Sequence, residues 1–85
     1  MKEIRILGVH VSNRMREGVE MKQIFGEYGC YIKTRLGLHE VQDEFCSESG
    51  IIVLELYGDL AKLDEFEAKL KALNGLEVQK MIFKL

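Results

Sequence analysis

The sequence predicts an α+β domain in which four strands and two helices follow the order β-α-β-β-α-β. Three observations carry this. Residues 3–12 and 51–57 are dense in Ile, Leu and Val, as buried strands are. Residues 30–38 alternate with a period of two, the mark of a half-buried strand. Residues 15–28 and the stretch that opens at Asp59 carry apolar residues at helical spacing.

In chain order, the first strand is EIRILGVHVS, and its Gly8 marks a bulge or a close backbone approach. The polar turn SNRMREG ends at Gly18. In the first helix, Met21, Ile24, Phe25 and Tyr28 share one face. Gly18 and Gly26 each weaken that helix by about 1 kcal/mol relative to alanine, and Gly29 is its expected left-handed terminator. Strand two places Cys30, Ile32, Thr34, Leu36 and Leu38 on one side and Tyr31, Lys33, Arg35, Gly37 and His39 on the other. HEVQDEFCSESG then reads as a polar loop of about ten residues, long for a hairpin.

The third strand is IIVLELY. Gly58 and Asp59 open the second helix, with Asp59 as N-cap. Leu63, Phe66, Leu70 and Leu73 form its buried stripe, and Glu65–Lys69 and Glu67–Lys71 are i,i+4 pairs in the favourable order. Asn74-Gly75 stops the helix, and residues 76–84 form the last strand. Two βαβ units with right-handed crossovers close most compactly as a ferredoxin-like βαββαβ sandwich: a four-stranded antiparallel sheet with two helices on one face. Residues 1–85 make one such domain. At this size a core supplies only a few kcal/mol of net stability, so burial against a partner would help.

With both helices on one face, the other should read polar if it meets water. It does not. Ile4 and Ile6 oppose Leu7, Val9 and Val11; Ile51, Val53 and Tyr57 oppose Ile52, Leu54 and Leu56; Met81, Phe83 and Leu85 oppose Leu76, Val78 and Ile82. Both faces are apolar, and a homo-oligomer, dimer or tetramer, is the economical cover for the second.

The net charge of −2 disfavours direct nucleic-acid binding. No apolar run reaches the length of a membrane span, and the N-terminus is too charged for a signal peptide. The expectation is a cytoplasmic protein with no membrane partner, its Cys30 and Cys46 reduced. The chain has no Cys-x-x-Cys pair, no aromatic on strand one for base stacking, no phosphate loop and no Ser/His/Asp arrangement. The expectation is that it is not an enzyme.

Two segments carry chemistry. Asn13, Arg14 and Arg16 lie where strand one meets helix one, where free N–H groups and arginines would welcome an anion. They form a candidate effector pocket, against the plain reading of a solvated, capped turn. His39 and Cys46, with His10 at the end of strand one, are candidate nickel or zinc ligands. Their spacing matches no strong metal motif, and an ordinary surface histidine and half-buried cysteine are the bland alternative.

The order ILGVHVSNR, IFGEYG, IKTRLGL, GIIVLELYGD and LNGLEVQKM resembles the iron-only hydrogenase system regulators, small stand-alone ACT-like proteins of ferredoxin fold. The resemblance spans nearly the whole chain. Its markers are Val11, Asn13 and Arg14; Tyr28-Gly29; Arg35, Gly37 and Leu38; and Asn74, Gly75 and Leu76. It implies a regulator that binds a small, often amino-acid-like ligand at a subunit interface near Gly8, Asn13 and Arg14, with Arg35 as a further candidate contact. The His39–Cys46 segment is similar instead to the metal-binding half of nickel-responsive repressors. The sequence reading is therefore a non-catalytic regulatory module, homo-oligomeric, that takes a small-molecule effector, passes the signal to a protein partner and needs no cofactor. The alternative is a nickel or zinc sensor using His39 and Cys46.

Overall fold

The computed structural model describes residues 3–12, 18–42 and 45–85, with side chains described outside 39–49. Among these residues the elements are β1 (Glu3–Val11), α1 (Gly18–Glu27), a 3-10 turn (Gly29–Tyr31), β2 (Ile32–Gln42), β3 (Phe45–Leu56), α2 (Leu60–Lys71) and β4 (Leu76–Lys84). The strands form one sheet in the order β2-β3-β1-β4, with every neighbouring pair antiparallel. This is the ferredoxin-like arrangement the sequence predicts.

Both helices cover one face. Leu7 and Val9 of β1 and Leu54 and Leu56 of β3 meet Met21, Phe25 and Tyr28 above them, and Leu63, Phe66 and Leu70 of α2. Phe66 is fully buried, with its ring centroid 5.9 Å from that of Phe25 and 5.3 Å from that of Tyr28. The helical stripes read from the sequence are thus the ones that fill the core.

The register explains which side chains share a face. Arg5, Leu7 and Val9 pair with Leu56, Leu54 and Ile52, all toward the helices. Ile6, Gly8 and His10 pair with Glu55, Val53 and Ile51, all toward the open side. In β2, Ile32 pairs with Leu56 while Thr34 pairs with Glu55, so the register shifts between them. A bulge of this kind turns the strand over. Ile32 packs on the core, whereas Thr34, Leu36 and Leu38 point to the open face. The single alternation expected for residues 30–38 is broken there, and Cys30 lies exposed in the 3-10 turn rather than at the start of a strand.

Three other local expectations are revised. The segment expected to be a loop of about ten residues is mostly paired strand: β2 runs on to Gln42 and β3 begins at Phe45, with Val41 opposite Cys46. Gly29 does not end α1 in a left-handed conformation; it opens the 3-10 turn. The glycines with positive φ are Gly58, at 113°, and Gly75, at 86°. Lys69 reaches across to Glu27 of α1 at 3.1 Å, and Glu65 pairs with Lys62 at 3.2 Å. The expected Glu67–Lys71 pair is present at 2.8 Å. Asp59 caps α2 as expected, accepting from the Ala61 amide at 3.0 Å.

Candidate functional site

The open face of the sheet is the candidate site, and its pattern follows from the pairings. Toward the β2–β3 side lies one apolar quarter: Leu36, Leu38, Ile51 and Val53. Diagonally across, toward β4, lies a second: Ile4, Ile6, Met81 and Phe83. About half the surface of Leu36, Leu38, Met81 and Phe83 is exposed (53%, 49%, 54% and 52%). The remaining quarters are polar. One holds Thr34 and Glu55, the other Gly8, His10, Glu77 and Gln79.

The second polar quarter is concave. Gly8, His10, Ile51, Glu77 and Gln79 line a hollow of about 430 Å³. It exists because the central strand has no side chain at Gly8: a Cβ built there would meet no atom within 4 Å. On its rim, Gln79 stands opposite Gly8 and Glu77 opposite His10. Gln79 Nε2 donates to Glu77 Oε2 at 2.8 Å. An imidazole, a carboxylate and a carboxamide therefore surround a floor of backbone and Ile51. Such a mix of apolar floor and few polar groups suits a small polar ligand.

The predicted site residues are only partly brought together. Gly8 is in the hollow, and His10 lines it as well. Asn13 and Arg14, like Arg16, lie outside the described residues. The last described residue before them is Ser12, whose amide donates to the Gly75 carbonyl at 3.1 Å. Arg35 is not with Gly8. It pairs with Leu54 and so lies on the helix face, its guanidinium carbon 4.8 Å from the Phe25 ring centroid. That is a cation–π contact that fastens β2 to α1. His39 and Cys46 are placed by backbone alone, His39 opposite Gly50 and Cys46 opposite Val41; their side chains are outside the described set. No group of three or more metal-ligating side chains occurs among the described residues.

A second polar cluster sits on the helix face. Arg5 is buried, and its guanidinium meets Glu3 at 2.9 Å, Asp64 at 2.7 Å and Glu67 at 3.7 Å. Glu67, also buried, meets Lys71 at 2.8 Å and Lys80 at 3.2 Å. Burial alone would raise the Glu67 pKa, but the hydrogen bonds from Lys71 and Lys80 outweigh it and hold the carboxyl below its usual range. Burial likewise pulls Arg5 down, and the bonds to Asp64 and Glu3 more than restore it. Every buried side-chain polar atom among the described residues has a partner. The cluster is a closed strut between α2 and the β1–β4 edge, with its groups spent on one another.

Sequence reading missed Glu77 and Gln79. Their signal is weak: two polar residues alternating with Val78 and Lys80 in β4. It becomes legible only when β4 is set in register against Gly8 and His10 of β1.

No protein-family model and no curated protein sequence matches the chain. Among solved structures, the uncharacterized protein TM1266 from Thermotoga maritima superposes with a TM-score of 0.80 at 23% identity, over 99% of this chain and 100% of that one. A formyltetrahydrofolate deformylase from Pseudomonas putida KT2440 superposes with a TM-score of 0.53 at 14% identity, over 92% of this chain and 28% of the deformylase. At these identities the likeness establishes the fold. No helix among the described residues is long and apolar enough to cross a membrane.

Proposed function

We propose that this chain is a non-catalytic regulatory module of the kind its resemblance to iron-only hydrogenase system regulators suggests. It works as a homo-oligomer, with the open sheet face closed by another copy and a small effector held at the His10 end of the Gly8 hollow, beside the Asn13–Arg14 loop. The observation that carries this reading is the hollow itself: a concave, polar-rimmed gap set in a sheet face whose apolar quarters stand half exposed. An apolar patch of that extent on a small domain marks an interaction surface. A ligand that lies between copies binds one assembly better than the separated chains, and so shifts the population toward it.

Native mass spectrometry of the protein purified from its host tests this reading. The expected result is an oligomer, with a small organic mass retained or acquired on incubation with amino acids. A monomer at high micromolar concentration would remove the interface and the reading with it. A retained nickel or zinc mass would instead favour the sensor built on His39 and Cys46.

A further inference from the structure

The checkerboard on the open face restricts how a second copy can cover it. Resting on the reading that a second copy does so, we propose that the two sheets cross near perpendicular, about a two-fold axis along the diagonal joining the two apolar quarters, so that Glu55 of each copy enters the Gly8 hollow of the other.

Consider the alternatives. A two-fold axis parallel to the strands reverses strand order between copies and lays each apolar quarter on a polar one. An axis across the strands reverses the rows and does the same. Both give aligned sandwiches, and both bury carboxylates against Leu, Ile or Phe, where a charge finds no partner to replace the water it loses. Only the two diagonal axes set apolar on apolar, and these are the orthogonal class of sheet packing. The two diagonals differ in where Glu55 goes. An axis through the polar quarters sets Glu55 against the partner's Glu55, like charges in a closing interface. The axis through the apolar quarters exchanges the two polar quarters.

Strands lie about 4.8 Å apart, and same-face residues recur every ~6.7 Å along a strand. On that grid the favoured axis carries Glu55 to within about 2 Å of the partner's Gly8 position. Glu55 is presented for this: its carboxylate lies 3.7 Å from Lys33 Nζ and accepts from Thr34 Oγ1 at 3.3 Å. The partner's hollow offers the space that Gly8 leaves empty, with the partner's His10 and the partner's Gln79 on its rim as hydrogen-bond donors. The Glu77 corner, opposite His10, falls at the edge of this interface, where an effector has access.

The test uses chains carrying Cys30→Ser and Cys46→Ser. Gly8→Cys and Glu55→Cys are made separately and co-expressed, then treated with a short bis-maleimide that spans the roughly 10 Å between facing sheets, a gap too wide for a direct disulfide. The co-expressed pair is expected to give a cross-linked dimer at least tenfold more abundant than either variant alone. Self-cross-linking of Glu55→Cys alone would place the axis on the other diagonal and overturn the proposal. An oligomer by native mass spectrometry that cross-links in no combination also overturns it, while leaving the covered face standing. A monomer would sink both. Independently, Gly8→Val narrows the hollow from a position where an added Cβ meets no atom of its own chain within 4 Å, so its circular dichroism should stay unchanged while the dissociation constant rises at least tenfold. An unchanged dissociation constant would overturn the proposal.

Discussion

The two faces of this sheet are built from the same residue types and put to different ends. Under the helices, Leu7, Val9, Leu54 and Leu56 are fully buried, and the charged residues among them are sealed into the Arg5–Glu67 cluster. On the open side, Ile51, Met81 and Phe83 keep a large part of their surface, and the polar groups edge a gap. The difference lies in the cover. One face is closed by its own chain at folding; the other stays half exposed, and in the proposed assembly a second copy closes it. The first sets stability, and the second, on that proposal, sets association.

The sharpest way to break this comparison is to truncate one aromatic on each side. Phe66→Ala removes a ring that touches both Phe25 and Tyr28 in the core. Such a truncation costs about 3–5 kcal/mol, most or all of the stability of a domain this size. Urea denaturation of Phe66→Ala should show a chain largely unfolded before denaturant is added. Phe83→Ala lies on the open side, about half exposed. It should leave the monomer's unfolding free energy within about 0.5 kcal/mol of the parent and weaken association instead. If both variants lower monomer stability equally, the division of labour between faces is wrong.

The ionic strut gives a smaller and pH-dependent effect. Because the folded-state pKa of Glu67 is lowered, its contribution is full above the unfolded value near 4.5 and fades as pH falls through the folded pKa. Glu67→Gln leaves Arg5, Lys71 and Lys80 without that carboxylate. It should cost about 1–3 kcal/mol at pH 7, with Glu3 and Asp64 still holding Arg5. Thermal melts of the two proteins should converge as pH drops below 4.5. A gap that stays constant down to pH 3 would show that the charge of Glu67 does not carry the effect.

The helix-covered face was largely legible in the sequence, because helical periodicity and strand alternation are local signals. Met21, Phe25 and Tyr28, and then Leu63, Phe66 and Leu70, were placed by spacing alone, and so was the Asp59 cap. The open face was legible as a surplus of Ile, Leu and Phe, but its pattern was not. That pattern depends on register, which joins residues as distant as Gly8 and Gln79, and on a bulge between Ile32 and Thr34 that no local signal announces. Arg35 shows the same limit: the family resemblance offered it as a ligand contact, and only the register shows that it lies on the helix face, over the Phe25 ring. The long hairpin was missed because polar residues such as Gln42 and Ser47 weaken the strand signal of β2 and β3. Antiparallel pairing can hold such strands together all the same.

The finest distinction between the faces rests on the turn that brings α2 over the sheet. Gly58 has a φ of 113°, and a Cβ added there would stand 3.0 Å from Cδ1 of Tyr31. The adjoining Tyr57 amide donates to the Tyr31 carbonyl at 3.0 Å, so the turn is tied to the 3-10 segment beneath it. Gly58→Ala must therefore strain the backbone and push the Tyr31 ring aside together. The first term alone is about 1–2 kcal/mol, partly offset by the reduced entropy of the unfolded chain. A net loss of about 1 kcal/mol in urea denaturation is expected. Gly8→Ala makes the matched control, since its Cβ meets nothing and alanine suits a strand better than glycine. It should leave the monomer as stable as the parent or slightly more so. Two glycine-to-alanine changes of opposite sign, one beneath α2 and one on the open face, would show that glycine serves conformation at Gly58 and vacant space at Gly8.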